Sequence, residues 1–195
     1  MTKRIAIIQG HPDPSEERFC RALAAAYAAG AEQGGHEVRT IEVADLRFPW
    51  LRGKADFEKG TAPHDIKTCQ DIIAKADHLV VIFPLWLGDM PALLKAFFEQ
   101  TFRPGFAFSG STERGFPRKL LKGKSARVII TMGMPGVFYR LVYRAHSLKS
   151  LRRNILAFCG ISPVRDTVIG MVEGGDSARR DKWLATATKL GRKAL

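Results

Sequence analysis

A doubly wound α/β fold is predicted: one five-stranded parallel sheet in the order 2-1-3-4-5, with helices on both faces. Three observations carry it. Leu79 to Phe83 is an unbroken apolar run closed by Pro84, too short for a core helix, which is the pattern of a strand covered on both faces. Val128-Ile129-Ile130 repeats it. Between and around these runs the apolar residues fall at helical spacing, and strands alternating with helices through right-handed crossovers build a doubly wound sheet, for which 2-1-3-4-5 is the natural order at this size. The switch point then lies between the first and third strands, so the loops after Gln9, Pro84 and Met132 should converge on one crevice. A length of 195 residues with 46% hydrophobic content suffices for a single domain spanning residues 1–195.

Taken in order, Arg4 to Gln9 is a short β-branched strand followed by the turn Gly10-His11-Pro12-Asp13-Pro14-Ser15. Ser15 is the expected N-cap of a first helix, with Glu16 and Glu17 in its first turn, Phe19, Leu23, Ala26, Tyr27 and Gly30 on its buried face, and Gly34-Gly35 as its stop. His36 to Val43 alternates and reads as an edge strand. Asp45 to Thr61, with Pro49, Gly53 and Gly60, has no period and is expected to be irregular. A helix follows from Pro63 to about Ala76, with Ile66, Cys69, Ile72 and Ile73 inward, and leads into the 79–83 strand. Pro91 in the first helical turn, with acidic Asp89 just before it, opens the next helix, whose buried stripe is Leu93, Leu94, Phe97, Phe98 and Phe102. Arg103 to Gly123 is glycine-rich and aperiodic, a long loop of the kind that usually serves function. Ser125 to Met132 is the fourth strand. One helical stretch is expected from about Phe138 to Phe158, ending at Cys159-Gly160, then a fifth strand from Val164 to Ile169 and a last helix from Ala178 to about Lys193.

The net charge of +12 fits a nucleic-acid binder, a protein drawn to acidic surfaces, or an enzyme of anionic substrates, and does not choose among them. Arg140, Arg144, Lys149, Arg152 and Arg153 gather in one segment, yet no aromatic interleaving of a nucleic-acid motif accompanies them, so a solvated helix face is expected and no nucleic-acid partner. Cys20, Cys69 and Cys159 form no C-x-x-C pair, and an odd count fits a reducing compartment. The first strand begins close to Met1 and no apolar run reaches membrane-spanning length, so a cytoplasmic protein is expected. No His, Cys, Asp or Glu group has metal-ligand spacing, and no Gly-x-Ser-x-Gly is present, which predicts neither a metal site nor covalent hydrolysis.

The first loop has neither Gly-x-Gly-x-x-Gly nor a P-loop signature. It retains a helix start with His11, Ser15 and Arg18, able to hold a phosphate through backbone N–H groups, a hydroxyl and a positive charge. Backbone groups from Leu85 to Gly88 and from Thr131 to Met134, beside Trp86, Leu87 and Tyr139, offer a tricyclic flavin both an apolar slot and donors for its pyrimidine edge. The alternative is that Trp86 merely closes the top of the core.

Phe83-Pro84-Leu85 and Pro91-Ala92-Leu93-Leu94-Lys95, followed by Phe98-Glu99 and Phe102, resemble the signature of the NAD(P)H:quinone oxidoreductase family of flavodoxin-like flavoproteins. Gly105-Phe106-Ala107-Phe108 is similar to that family's substrate-pocket loop, Thr131-Met132-Gly133 with Tyr139 to its flavin-ring loop, and Ile155 to Gly160 to the end of its penultimate helix. The resemblance implies a flavodoxin-like fold with FMN or FAD as cofactor and NAD(P)H as co-substrate. It places His11, Ser15, Arg18, Phe19 and Cys20 at the flavin phosphate and ribityl chain, with Pro84, Leu85, Trp86, Leu87, Gly88, Thr131, Met132, Gly133 and Met134 around the ring. It makes Tyr139 and His146 the catalytic pair at the ring's pyrimidine edge, and Phe106 and Phe108 a substrate-binding wall closing the partner subunit's site in a homodimer. Where the family often has Thr-Thr-Gly-Gly this chain has Thr131-Met132-Gly133-Met134, and Cys20 stands where an asparagine is common. The expected activity is reduction of quinones or related acceptors by ping-pong hydride transfer. The rivals are azo or nitro reduction on the same fold and a regulatory flavoprotein subunit whose basic 140–153 segment docks on a membrane protein.

Overall fold

A computed structural model describes residues 1–109, 117–173 and 177–195. Five parallel strands pair in the order β2-β1-β3-β4-β5. These are β1 (Arg4–Gln9), β2 (Glu37–Glu42), β3 (His78–Pro84), β4 (Ser125–Thr131) and β5 (Val164–Ile169). Register sets Ile8 beside Val81 and Ile82 beside Ile129, so the three central strands end together at one edge of the sheet. Because successive residues of a strand point to opposite faces, Ile5, Ile7, Val80, Ile82 and Ile129 pack on one side, while Ala6, Ile8, Val81, Phe83, Val128 and Ile130 pack on the other.

The first face is covered by α1 (Phe19–Gln33) and α8 (Ser177–Arg192), and the second chiefly by α3 (His64–Lys75), α4 (Ala92–Thr101) and the helical segments between β4 and β5. Helices α1 and α8 approach so closely that a Cβ on Gly30 would lie 2.0 Å from the Thr188 carbonyl oxygen, and one on Gly191 2.0 Å from that of Tyr27. Only glycine allows two helix backbones this near.

Three expectations are corrected. Ser15 does not cap α1: the helix starts at Phe19 with no side-chain cap, because the Asp13 carboxylate accepts the Ser15 N–H at 2.8 Å and turns the chain before the helix begins. The 45–61 excursion contains a short helix, α2 (Lys54–Lys59), held by buried Arg103, whose guanidinium donates to the carbonyls of Asp56 and Gly60 at 2.8 and 2.7 Å and to that of Gln100 at 3.1 Å. The helix expected over 138–158 is broken. It is α5 (Gly136–Leu141), a corner with Arg144 and Ala145 both at φ 49°, then α6 (His146–Ser150), a π turn (Leu151–Leu156) and α7 (Ala157–Cys159). Of the loop expected over 103–123, residues 110–116 lie outside the described residues.

At the opposite end of the strands from the crevice, His78 is buried, with Nδ1 on Ser125 Oγ at 2.8 Å and Nε2 without a hydrogen-bond partner among the described residues. Burial, followed by the charges of Lys3, Arg127, Arg165 and His36, lowers its pKa from 6.5 to about 3. The fold therefore holds the neutral imidazole: its contribution is complete above pH 6.5 and is lost as pH falls from there toward about 3. The unfolding free energy of the wild type from urea titration should fall over this range by about 1.4 kcal/mol per pH unit from this group, and His78→Gln should flatten the fall.

Candidate functional site

Three loops meet at the carboxyl ends of β1, β3 and β4. The Gly10 N–H donates to the Ile82 carbonyl at 2.7 Å and the Leu85 N–H to that of Thr131 at 2.7 Å, which ties each loop to the strand beside it. The rings of His11 and Trp86 meet edge to face with centroids 5.8 Å apart. Cys20 Sγ lies 3.3 Å from Thr131 Oγ1, joining the first turn of α1 to the end of β4. His11, Cys20, Trp86 and Thr131 are thus brought together from three separate parts of the chain.

In the first loop the His11 N–H donates to Gln9 Oε1 at 2.7 Å and His11 Nδ1 accepts the Asp13 N–H at 3.0 Å. With Nδ1 an acceptor, the proton of the neutral ring is assigned to Nε2. Burial, reinforced by the Arg18 charge, lowers the His11 pKa and favours that neutral form. Arg18 Nε donates to Asp13 Oδ2 at 2.7 Å, so the cation expected to meet a phosphate rests on an internal carboxylate. The Ser15 N–H, then Arg18, hold Asp13 below the ordinary carboxylate range. Sequence reading missed Asp13, although an Asp two residues before a polar residue in a Pro-rich turn is a legible turn-forming signal. Phe19 is packed beneath the Arg180 guanidinium, 5.0 Å from its ring centre. Cys20 is buried, and burial pushes its thiol up to about 11, which keeps it protonated and unreactive.

The second loop is a two-residue hairpin: Trp86 and Asp89 exchange both backbone hydrogen bonds at 2.9 Å, across Leu87 at φ 46° and Gly88 at φ 82°. Leu87 in the left-handed region is fully exposed at the tip and Trp86 is half-exposed, so Trp86 does not close the core. The third loop is braced from β5: the Met132 N–H donates to the Ile169 carbonyl at 2.9 Å, the Met132 carbonyl accepts from Val172 at 3.2 Å, and the Met134 carbonyl accepts from Met171 at 3.1 Å.

The residues suit a flavin phosphate and ring. Among the described residues, no acceptor takes the Phe19 and Cys20 N–H groups at the uncapped α1 start, nor those of Gly133 and Met134 in the third loop. The first two belong to the positive end of a 15-residue helix, and the other two follow β4 in the third loop. Among the described residues no group of three His, Cys, Asp or Glu side chains could hold a metal ion.

Tyr139 and His146, expected at the ring's pyrimidine edge, lie in different surroundings. Tyr139 is fully buried; its hydroxyl shares a 2.7 Å hydrogen bond with Ser147 Oγ and accepts the Leu148 N–H at 3.1 Å. The corner at Arg144 and Ala145 turns the chain into α6, and the phenol joins α5 to α6. His146 is exposed, and among the described residues no hydrogen bond joins it to Tyr139. Tyr139→Phe should lower stability by about 1–2 kcal/mol in denaturant unfolding, since the Leu148 N–H is left buried without an acceptor. Phe106 is half-buried in its own loop, and Phe108 packs between Phe57 and Phe158, at 6.4 and 5.0 Å between centroids.

The family model described as having a flavodoxin-like fold matches residues 3–190. The chain is 28% identical over 187 residues to a Haemophilus influenzae protein described as an uncharacterized NAD(P)H oxidoreductase, covering 94% of this chain and 91% of that one. It is 30% identical over 138 residues to the FMN-dependent NADH:quinone oxidoreductase of Alteromonas mediterranea, covering 65% of this chain and 66% of that protein's length. Among solved structures, the NAD(P)H:quinone oxidoreductase from Methanothermobacter marburgensis superposes with a TM-score of 0.82 at 24% identity, over 99% of this chain and 97% of the other. Strand order, crevice and the match over nearly the whole length agree, and the chain belongs to the family of proteins with the flavodoxin-like fold.

Proposed function

We infer that this protein is a flavin-dependent NAD(P)H oxidoreductase that reduces quinones or related acceptors. The observation that carries the reading is the convergence of the uncapped α1 start, the Trp86 hairpin and the Gly133-Met134 donors on one crevice. A bound flavin supplies two-electron storage between the nicotinamide and the acceptor. The chain's own work is binding and orientation. The Phe19 and Cys20 N–H groups, with Ser15, hold the phosphate, Arg18 stays paired with Asp13 beside them, and His11 with Trp86 borders the ring. The Gly133 and Met134 N–H groups face the pyrimidine edge, where they favour negative charge. Pro84 to Gly88 and Thr131 to Met132 form the walls, while Tyr139 acts as a positioning residue beneath the third loop and His146 stays at its solvent side.

Val137, Leu141 and Val142 expose an apolar face beside the crevice, which supports a homodimer with Phe106 and Phe108 near the partner's site. In the basic segment Arg140 pairs with Asp166 at 2.6 Å and the other four cations are exposed, so docking on a membrane protein has only charge in its favour. No helix among the described residues is long and apolar enough to cross a membrane. The test is a spectrum of the protein mixed with FMN or FAD and passed through a desalting column. Retained flavin absorbance, bleached by NAD(P)H and restored by a quinone, is expected. A colourless eluate with both flavins would overturn the reading, and rates with a quinone, an azo dye and a nitroarene rank the acceptors.

A further inference from the structure

We propose that Glu173 sets the charge of the reduced flavin, standing beside the third loop as a fixed negative charge that keeps a second proton on the ring's pyrimidine edge; this rests on the flavin-dependent reading above. A Cβ built on Gly133 would lie 3.4 Å from both Glu173 Cδ and Oε2 and 3.6 Å from Oε1, so the carboxylate lies flat against the open side of Gly133. The bond lengths of one residue then put its charge within about 6 Å of the Gly133 N–H, one of the two donors given to that edge. The backbone holds it there. The Val172 N–H donates to the Met132 carbonyl at 3.2 Å and the Met171 N–H to that of Met134 at 3.1 Å, so the chain leaving β5 is pinned to the third loop on either side of Gly133. The cations of the flanking helices are engaged elsewhere. Arg179 Nη2 donates to the Gly170 carbonyl at 3.3 Å, the Arg180 guanidinium lies over Phe19, and Arg140 pairs with Asp166 at 2.6 Å. Thr131 to Met134 carries no titratable side chain, and among the described residues no ion pair or hydrogen bond takes up the Glu173 carboxylate.

Two influences compete at this edge. Reduction by NAD(P)H brings two electrons and one proton to the ring as a hydride, and a second proton, from water, either binds at the pyrimidine edge or stays in solution and leaves that edge negative. The Gly133 and Met134 N–H groups favour the negative form through partial charges, whereas Glu173 opposes it with a whole one. At roughly 6–9 Å and an effective dielectric constant of about 20, a unit charge changes proton affinity by more than about tenfold, and water at the exposed Glu173 side chain brings this down to about tenfold. The full charge therefore wins. The electron pair then leaves for the quinone with both protons already on the ring: one travels as the hydride, the other comes off the pyrimidine edge, and the product is a neutral hydroquinone with no charge left on either partner.

The test is an anaerobic titration of FMN-loaded protein. At low ionic strength, where an exposed charge reaches furthest, the protein is reduced with dithionite at a series of pH values, and the ultraviolet absorbance of the reduced flavin reports whether its pyrimidine edge is neutral or negative. Glu173→Gln should weaken the proton affinity of that edge about tenfold, read as a lower apparent pKa, and Glu173→Asp, which keeps the charge one methylene back, should recover most of it. FMN affinity of the oxidised protein should stay close to that of the wild type in both variants, because the phosphate is held at the α1 start. An apparent pKa that is unchanged or raised in Glu173→Gln overturns the proposal. A loss of FMN affinity with the pKa unmoved makes Glu173 a packing residue of the third loop and overturns it too, as does a pKa that falls equally in Glu173→Asp, since shape and not charge is then responsible. A wild-type protein that retains no FMN instead removes the reading on which the proposal rests.

Discussion

Substituting Gly170 with alanine should release flavin from a chain that remains folded. Gly170 directly follows β5, and a Cβ there would lie 2.4 Å from the Gly136 nitrogen, 2.5 Å from the Met134 carbonyl oxygen and 3.0 Å from the Pro135 carbonyl carbon. All three are backbone atoms of the segment that carries the Gly133 and Met134 donors, so no side-chain rotamer can relieve the contact. The loop must move, because the strand behind it is locked in register with β4 from Ala126↔Val164 to Thr131↔Ile169. A displacement of about 1 Å in groups that position a reacting ring can cost about a hundredfold, and a loss of that order in FMN affinity is expected by fluorescence titration. The accompanying loss of stability should stay near the low end of overpacking, about 1 kcal/mol, since the loop is exposed on its outer side. Affinity within twofold of the wild type would show that the third loop does not hold the flavin.

The largest loss of stability is expected at the α1 and α8 crossing. With Gly30 facing Thr188 and Gly191 facing Tyr27, each at 2.0 Å from a prospective Cβ to a carbonyl oxygen, Gly30→Ala should destabilise by about 3 kcal/mol and Gly191→Ala by a similar amount. The two contacts share one interhelical distance. Once the first methyl separates the helices the second finds room, and the double variant should lose about as much as either single one, far short of their sum. Denaturant midpoints of the four proteins test this. Additive losses would mean that each methyl is accommodated locally without the helices moving apart.

Much of the fold is legible because its signals are local. Val80-Val81-Ile82 and Val128-Ile129-Ile130 must be covered on both faces wherever they occur, and Leu94, Phe97 and Phe98 share a helix face whatever they pack against. The strand order and the meeting of three loops follow from those elements and the handedness of their crossovers. The crevice was therefore readable, and so were His11, Cys20, Trp86 and Thr131 as residues near it.

Other features depend on partners distant in sequence. Arg103 binds carbonyls at Asp56 and Gly60, more than 40 positions away, and nothing in the periodicity of 45–61 announces α2. Tyr139 has the spacing of a crevice residue, and its hydroxyl meets Ser147 and Leu148 only because the left-handed corner at Arg144 and Ala145 turns the chain into α6. Asp13 claims the Arg18 guanidinium, and Gly170 makes room for the third loop. The sequence by itself determined the strands, the longer helices, the order of the sheet and the end of it where the loops converge, since each follows from local spacing and chain chirality. Which side chains face that end was decided only by tertiary structure, because facing is a relation between residues far apart in the chain and is settled by the space that packed backbones leave.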